Sequence, residues 1–157
     1  MWQRQNTDRP PLSSEALLAK AEAYCSRAEH CPQEVRDKLY AWGADSRQVE
    51  EILAGLTDNG FVSEERYCRA FAHDKLLFQG WGREKIRAAL SARRLPQQVV
   101  DETLDGLDEE DYHATLERLR NRKLAELSNE DEDTRREKTV RFLLSRGFSY
   151  REIESRE

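Results

Sequence analysis

Three stretches of this chain lie over one another, and that recurrence limits its fold more than any single motif does. "EVRDKLYAWGADSRQVEEIL" aligns with "KIRAALSARRLPQQVVDETL" at a displacement of 51 residues. The later "KTVRFLLSRGFSYREIESR" aligns with the second stretch at a displacement of 53. Val35 falls on Ile86, Leu39 on Leu90, Val49 on Val100 and Arg36 on Arg87. Thr139 falls under Ile86, Leu143 under Leu90, Gly147 under Arg94 and Ile153 under Val100. The apolar positions recur at helical spacing inside each copy, and the turns between them match in length.

The local signals agree. Leu17, Leu18, Ala21 and Tyr24 share one face of a helix over residues 14–29. Pro32 suits the first turn of the next helix, and Gly43 suits its stop. A third helix starts from Asp45 or Ser46 and ends at Asn59-Gly60. No segment alternates as a half-buried strand does. The expected fold is therefore all-α. Three tandem three-helix repeats over residues 13–62, 63–107 and 108–157 follow a flexible N-terminal arm over 1–12. Units this small must close their apolar faces on one another, which predicts an elongated, curved, right-handed array.

Composition narrows the function. The 157 residues are 36% charged and 38% hydrophobic, polar for a globule but apolar enough to fold. A net charge of −5 argues against a protein that coats nucleic acid without discrimination. No apolar run opens the chain as a signal peptide would, and none approaches a membrane span. Cys25 and Cys68 read as helix residues and Cys31 as a helix-boundary residue, all reduced. Cys25, His30, Cys31, Cys68 and His73 lack the paired spacing that anchors a metal. A cytoplasmic monomer without metal or cofactor is expected.

Charge is segregated in blocks. Residues 66–94 hold eight Lys/Arg and two Asp/Glu, whereas residues 97–117 hold eight Asp/Glu and no Lys/Arg. With Ile86 at zero on a helical wheel, Arg83, Arg94 and Arg87 fall near about 60°, 80° and 100°. That places three guanidinium groups along one edge of the apolar face, where they suit carboxylate or phosphate. Lys85 and Arg93 lie in the same segment; Arg66, Arg69 and Lys75 flank it; Lys138, Arg141 and Arg146 extend the basic surface in the third repeat. A solvated face balanced by the acidic third helix is the alternative.

Gly80-Trp81-Gly82 precedes a helix, but neither a strand nor a Gly-Lys-Ser/Thr sequence accompanies it. A turn that packs Trp81 fits better than a phosphate loop. The acids at 108–111 suit a helix start. His30, His73 and His113 lie in unrelated contexts, and nothing assembles a catalytic constellation. The chain is expected not to be an enzyme.

"NGFVSEERYCRAFAHDKL" at 59–76, "GWGREKIRAALSARRLPQQVVDETL" at 80–104 and "REKTVRFLLSRGFSYREIE" at 136–154 carry a family resemblance. In order, spacing and recurrence they resemble RecX, the bacterial regulatory proteins of the RecA recombinase, from about residue 16 onward. Two positions depart from that pattern: Arg94-Leu95 replaces a glycine stop, and Ser63-Glu64 replaces paired aspartates. The resemblance implies three tandem three-helix units that bind in the helical groove of the RecA filament. It also implies inhibition of ATP hydrolysis, strand exchange and co-protease activity in DNA repair and the SOS response. Some members also contact DNA, so the basic face is a candidate for single- or double-stranded DNA.

Two rivals remain at this point. One is a helix-turn-helix-like DNA-binding protein, against which the acids of the third helices count. The other is a helical repeat scaffold for a different protein partner.

Overall fold

The computed structural model describes residues 10–155. Most of the expected N-terminal arm lies outside them. Among the described residues the regular structure is helical throughout: α1 (Ser14–Arg27), α2 (Pro32–Ala41), α3 (Ser46–Asp58), α4 (Glu64–Leu77), α5 (Arg83–Ala92), α6 (Gln97–Asp105), α7 (Glu109–Glu126), α8 (Glu132–Ser145) and α9 (Tyr150–Glu154). The chain divides into one compact unit ending at Tyr67 and a second beginning at Cys68.

Helix starts follow the polar residues that precede them. Ser13, Asp45, Asp108, Asp131 and Ser149 each accept a hydrogen bond from an amide of the first turn. Ser63 does the same for the Arg66 amide at the start of α4. Capping boxes close α3 through Gln48 and α9 through Glu152. Cys25 lies in α1, Cys31 caps α2 and Cys68 lies in α4.

In the first unit α1, α2 and α3 pack on one another around Leu17, Val35, Leu39, Val49, Ile52 and Leu56, all buried. In the second, α5 packs on α6, and α8 packs on both α7 and α9.

The repeat register is visible in the backbone. Gly43, Arg94 and Gly147 each follow the C-cap of the second helix of a repeat, with φ of +93°, +61° and +99°. The next residue in each copy donates its amide to a carbonyl five positions back, from Ala44 to Leu39, Leu95 to Leu90 and Phe148 to Leu143. This left-handed stop seals the last turn and points Ala44, Leu95 and Phe148 into the core. Arg94 is the only described non-glycine residue with positive φ, so the second repeat keeps the geometry that its sequence disfavours.

Repeats two and three are joined end to end. α5 begins at Gly82 without a side-chain cap, which would leave its first amides open. Gly82 donates to the Arg146 carbonyl (2.8 Å), Arg83 to the Tyr112 hydroxyl (3.0 Å) and Glu84 to the Gly147 carbonyl (3.0 Å). The turn after α8 thus caps α5, while α5 satisfies carbonyls at the end of α8. The approach tolerates no side chain: a Cβ on Gly82 would sit 2.5 Å from the Gly147 oxygen. Arg146 closes the contact from the other side by donating to the Gln79 and Gly80 carbonyls.

Arg83 pins the same junction. Its Nε donates to the Leu104 carbonyl (3.1 Å), Nη2 pairs with Glu109 (2.7 Å) and Nη1 with Glu152 (3.3 Å). Its guanidinium lies 4.0 Å from the centre of the Tyr112 ring. One side chain therefore ties α5 to α6, α7 and α9. Burial pushes the Tyr112 phenol well above its usual range, and the Glu152 charge adds to the shift.

Two paired comparisons of stability test these contacts. Gly43→Ala meets open space and only the left-handed backbone penalty, so urea unfolding should show a loss of about 1 kcal/mol. Gly147→Ala should lose clearly more, because its Cβ would also fall 2.6 Å from the Lys85 amide nitrogen. Arg83→Ala should cost about 2–4 kcal/mol, since it leaves half-buried Glu152 without its cation and removes one of two donors to the Leu104 carbonyl. Arg87→Ala, which breaks one half-exposed ion pair, should cost under about 1 kcal/mol. Equal losses for Arg83→Ala and Arg87→Ala would contradict the pin.

Candidate anion-binding surface

Apart from Arg66, the basic residues of the second repeat sort into three groups. Arg83 and Arg87 already meet carboxylates of this chain, Arg87 through Asp101 on α6. The Arg87–Asp101 pair repeats Arg36–Glu50 (3.1 Å) of the first repeat at the same register. The arginine stripe expected along α5 is therefore corrected in two respects. The helix stops at Ala92, so Arg94 leaves the wheel in a left-handed turn, and the two arginines that remain on the helix are engaged internally.

Lys75, Lys85 and Arg93 form the second group. None of them has an ion pair with a described carboxylate; aromatic rings hold them instead. Lys75 Nζ lies 4.9 Å from the Trp81 ring centre and 5.3 Å from that of Phe71. Lys85 Nζ lies 4.8 Å from Trp81, and the Arg93 guanidinium 4.8 Å from Phe71. Phe71 and Trp81 meet edge to face at 6.4 Å. The glycine-flanked turn lets Trp81 turn back onto α4, as the sequence suggested. Three cations and two rings thus form one connected cluster across α4 and α5. Each ring contact contributes about 0.5–1 kcal/mol and restricts a side chain that would otherwise move freely. Arg93 also donates Nη1 to the Ala89 carbonyl (2.8 Å).

Arg69 and Arg94 form the third group. Both are exposed, with neither a hydrogen bond nor an ion pair from the side chain among the described residues. Arg69 lies about 160° around α4 from Phe71 and belongs to a different face.

The remaining basic positions named from sequence are occupied elsewhere. Arg66 pairs with Glu29 and donates to the Gly60 and Phe61 carbonyls. Lys138 pairs with Glu130 (2.8 Å) and Arg141 with Glu137 (3.0 Å), both in exposed settings. Arg146 serves the junction with α5. The sequence reading centres on Arg83, Arg87 and Arg94 and does not single out Lys75, Lys85 and Arg93. The available signal was the spacing of four residues in Phe71–Lys75 and Trp81–Lys85, which stacks each cation on its ring within one helical turn or across the turn leading into α5.

The arrangement presents positive charge that suits an anion. Fixed ammonium and guanidinium groups with no internal counter-charge favour phosphate or carboxylate. The α5 N-terminus adds nothing, because its first amides are already taken.

Comparison with known proteins places this geometry in a family. The pattern described as "RecX, second three-helix domain" matches residues 63–104, and "RecX, third three-helix domain" matches residues 109–155. A curated Regulatory protein RecX from Pseudomonas entomophila is 35% identical over 85% of this chain and 84% of its own length. One from Leptothrix cholodnii is 31% identical over 91% and 86%. One from Clostridium botulinum is 32% identical over 75% of this chain, which spans 56% of that longer relative. The crystal structure of RecX from Lactobacillus salivarius shares the fold at a TM-score of 0.83, with 20% identity over 90% of this chain and 92% of that one. The chain belongs to the RecX family.

Proposed function

We propose that this protein regulates the RecA recombinase by binding in the helical groove of its filament on DNA. Binding there lowers ATP hydrolysis, strand exchange and co-protease activity. The chain acts by occupancy and not by catalysis. The observation that supports the reading, beyond the family, is the cluster of Lys75, Lys85 and Arg93. These cations are held in place by rings and keep their charge for a partner. Recombinase carboxylates and DNA phosphates are the groups they would meet. Arg94 and Arg69 supply further exposed charge, while Arg83 and Arg87 maintain the scaffold.

A major-groove reader is a weaker reading. The last helices of the repeats carry Glu50-Glu51, Asp101-Glu102 and Glu152 with Glu154, which phosphates would repel.

The test is ATPase inhibition titrated on a recombinase–single-strand complex. Lys75→Gln, Lys85→Gln and Arg93→Gln together should raise the concentration needed for half-inhibition about tenfold or more, with the helical circular dichroism unchanged. Raising salt from about 50 to 200 mM should weaken the parent protein and affect the triple variant less. Full inhibition by the triple variant would move the contact surface elsewhere. No inhibition by the parent protein would remove the recombinase reading.

A further inference from the structure

The three repeats share one fold, so a position where one departs from the others is informative. Repeats one and two bridge their second and third helices with the same ion pair, Arg36–Glu50 and Arg87–Asp101. The corresponding positions in repeat three are Val140 and Glu154. Valine cannot bridge, and Glu154 is met instead by Arg136, one turn earlier on α8 (3.3 Å). Where repeats one and two place the long arginine stem, repeat three has a cavity of about 350 Å³ between α7, α8 and α9.

We propose that this cavity binds the carboxylate side chain of an acidic, apolar-flanked segment of a partner protein. Leu124, Thr139, Val140 and Ile153 supply apolar wall, and Arg135 supplies the unpaired charge beside Arg120. Arg120 is buried and fixed by its bonds to the Ile153 carbonyl (2.7 Å) and to Glu117 (3.3 Å). Arg135 uses only Nε, donating to the Leu124 carbonyl (2.8 Å), and forms no ion pair among the described residues. Its terminal nitrogens remain available as a fork for a carboxylate.

The rim selects among anions. Glu132 and Glu154 line the opening, and Glu154 also borders a second recess of about 300 Å³ beside Asp133 and Glu137. Those charges oppose a continuous polyanion such as a nucleic-acid backbone, and the one unpaired guanidinium, that of Arg135, matches a single carboxylate. The second recess shares Arg136 and Val140 with the first and includes Tyr150, which is 60% exposed. An apolar side chain next to the carboxylate in the partner's sequence has a place there. The site is built from α7–α9, apart from the α4–α5 cluster, and does not depend on which protein the first surface binds.

The experiment uses the full chain labelled with ¹⁵N and follows the amides of Thr139, Val140 and Ile153. The probes are the capped peptide Leu-Glu-Leu, its Leu-Gln-Leu counterpart and a six-residue oligothymidylate. Saturable shifts with the Glu peptide, at least about tenfold weaker with the Gln peptide, are expected. Val140→Arg restores the residue that repeats one and two carry, fills the cavity and should abolish the response while retaining the melting temperature. Arg135→Gln should weaken binding and carries the test if Val140→Arg does not fold. The proposal is overturned by no shift with the Glu peptide, by equal shifts with both peptides, by a response undiminished in both variants, or by stronger binding of the oligothymidylate.

Discussion

The second and third repeats depend on one backbone exchange. A helix that starts on glycine has no side chain to satisfy its first amides, and a left-handed stop seals the last helical turn but leaves the carbonyls of the turn itself to be matched elsewhere. Here each end supplies what the other lacks, through Gly82, Glu84, Arg146 and Gly147. The absence of two Cβ atoms lets the chains come close enough for those bonds to form. Arg83 and Arg146 then lock the contact from either side. Positive charge that looks poised for a ligand is instead part of the frame.

That distinction separates structural cations from candidate binding cations. An arginine with carboxylates on neighbouring helices is already neutralised, and an incoming anion would have to displace a partner. A lysine resting on an aromatic face is held without being neutralised. Lys75 and Lys85 sit on the two sides of the glycine-flanked turn, and Trp81 serves them both. The turn that permits repeat three to approach therefore also assembles the basic cluster.

Much of the fold was legible in the sequence because its determinants are local. Pro32, Gly43, Asp45 and Asn59-Gly60 mark helix limits within a residue or two of where they occur. The displacements of 51 and 53 residues superpose buried positions on buried positions, such as Leu39, Leu90 and Leu143. The end of α5 was legible only through the repeat, which lays Gly147 under Arg94; the residues themselves lack the glycine that announces the same stop in the other repeats. Nor were the partners of Arg83, because Glu109 and Glu152 lie 26 and 69 residues away and only packing brings them near. The wheel that predicted an arginine stripe treated the helix as continuous and the side chains as unpartnered. Tertiary structure changed both conditions.

The mutual capping of α5 and α8 has a further bearing on how this region holds together. Separated from residues 109–155, the second repeat would present three bare amides at Gly82, Arg83 and Glu84, and Gly80 would lose the Leu119 side chain that covers it. These two sequence domains are expected to open as one foldon: their junction amides should exchange with solvent only when both come apart together, and a protease should find no cleavable intermediate between them.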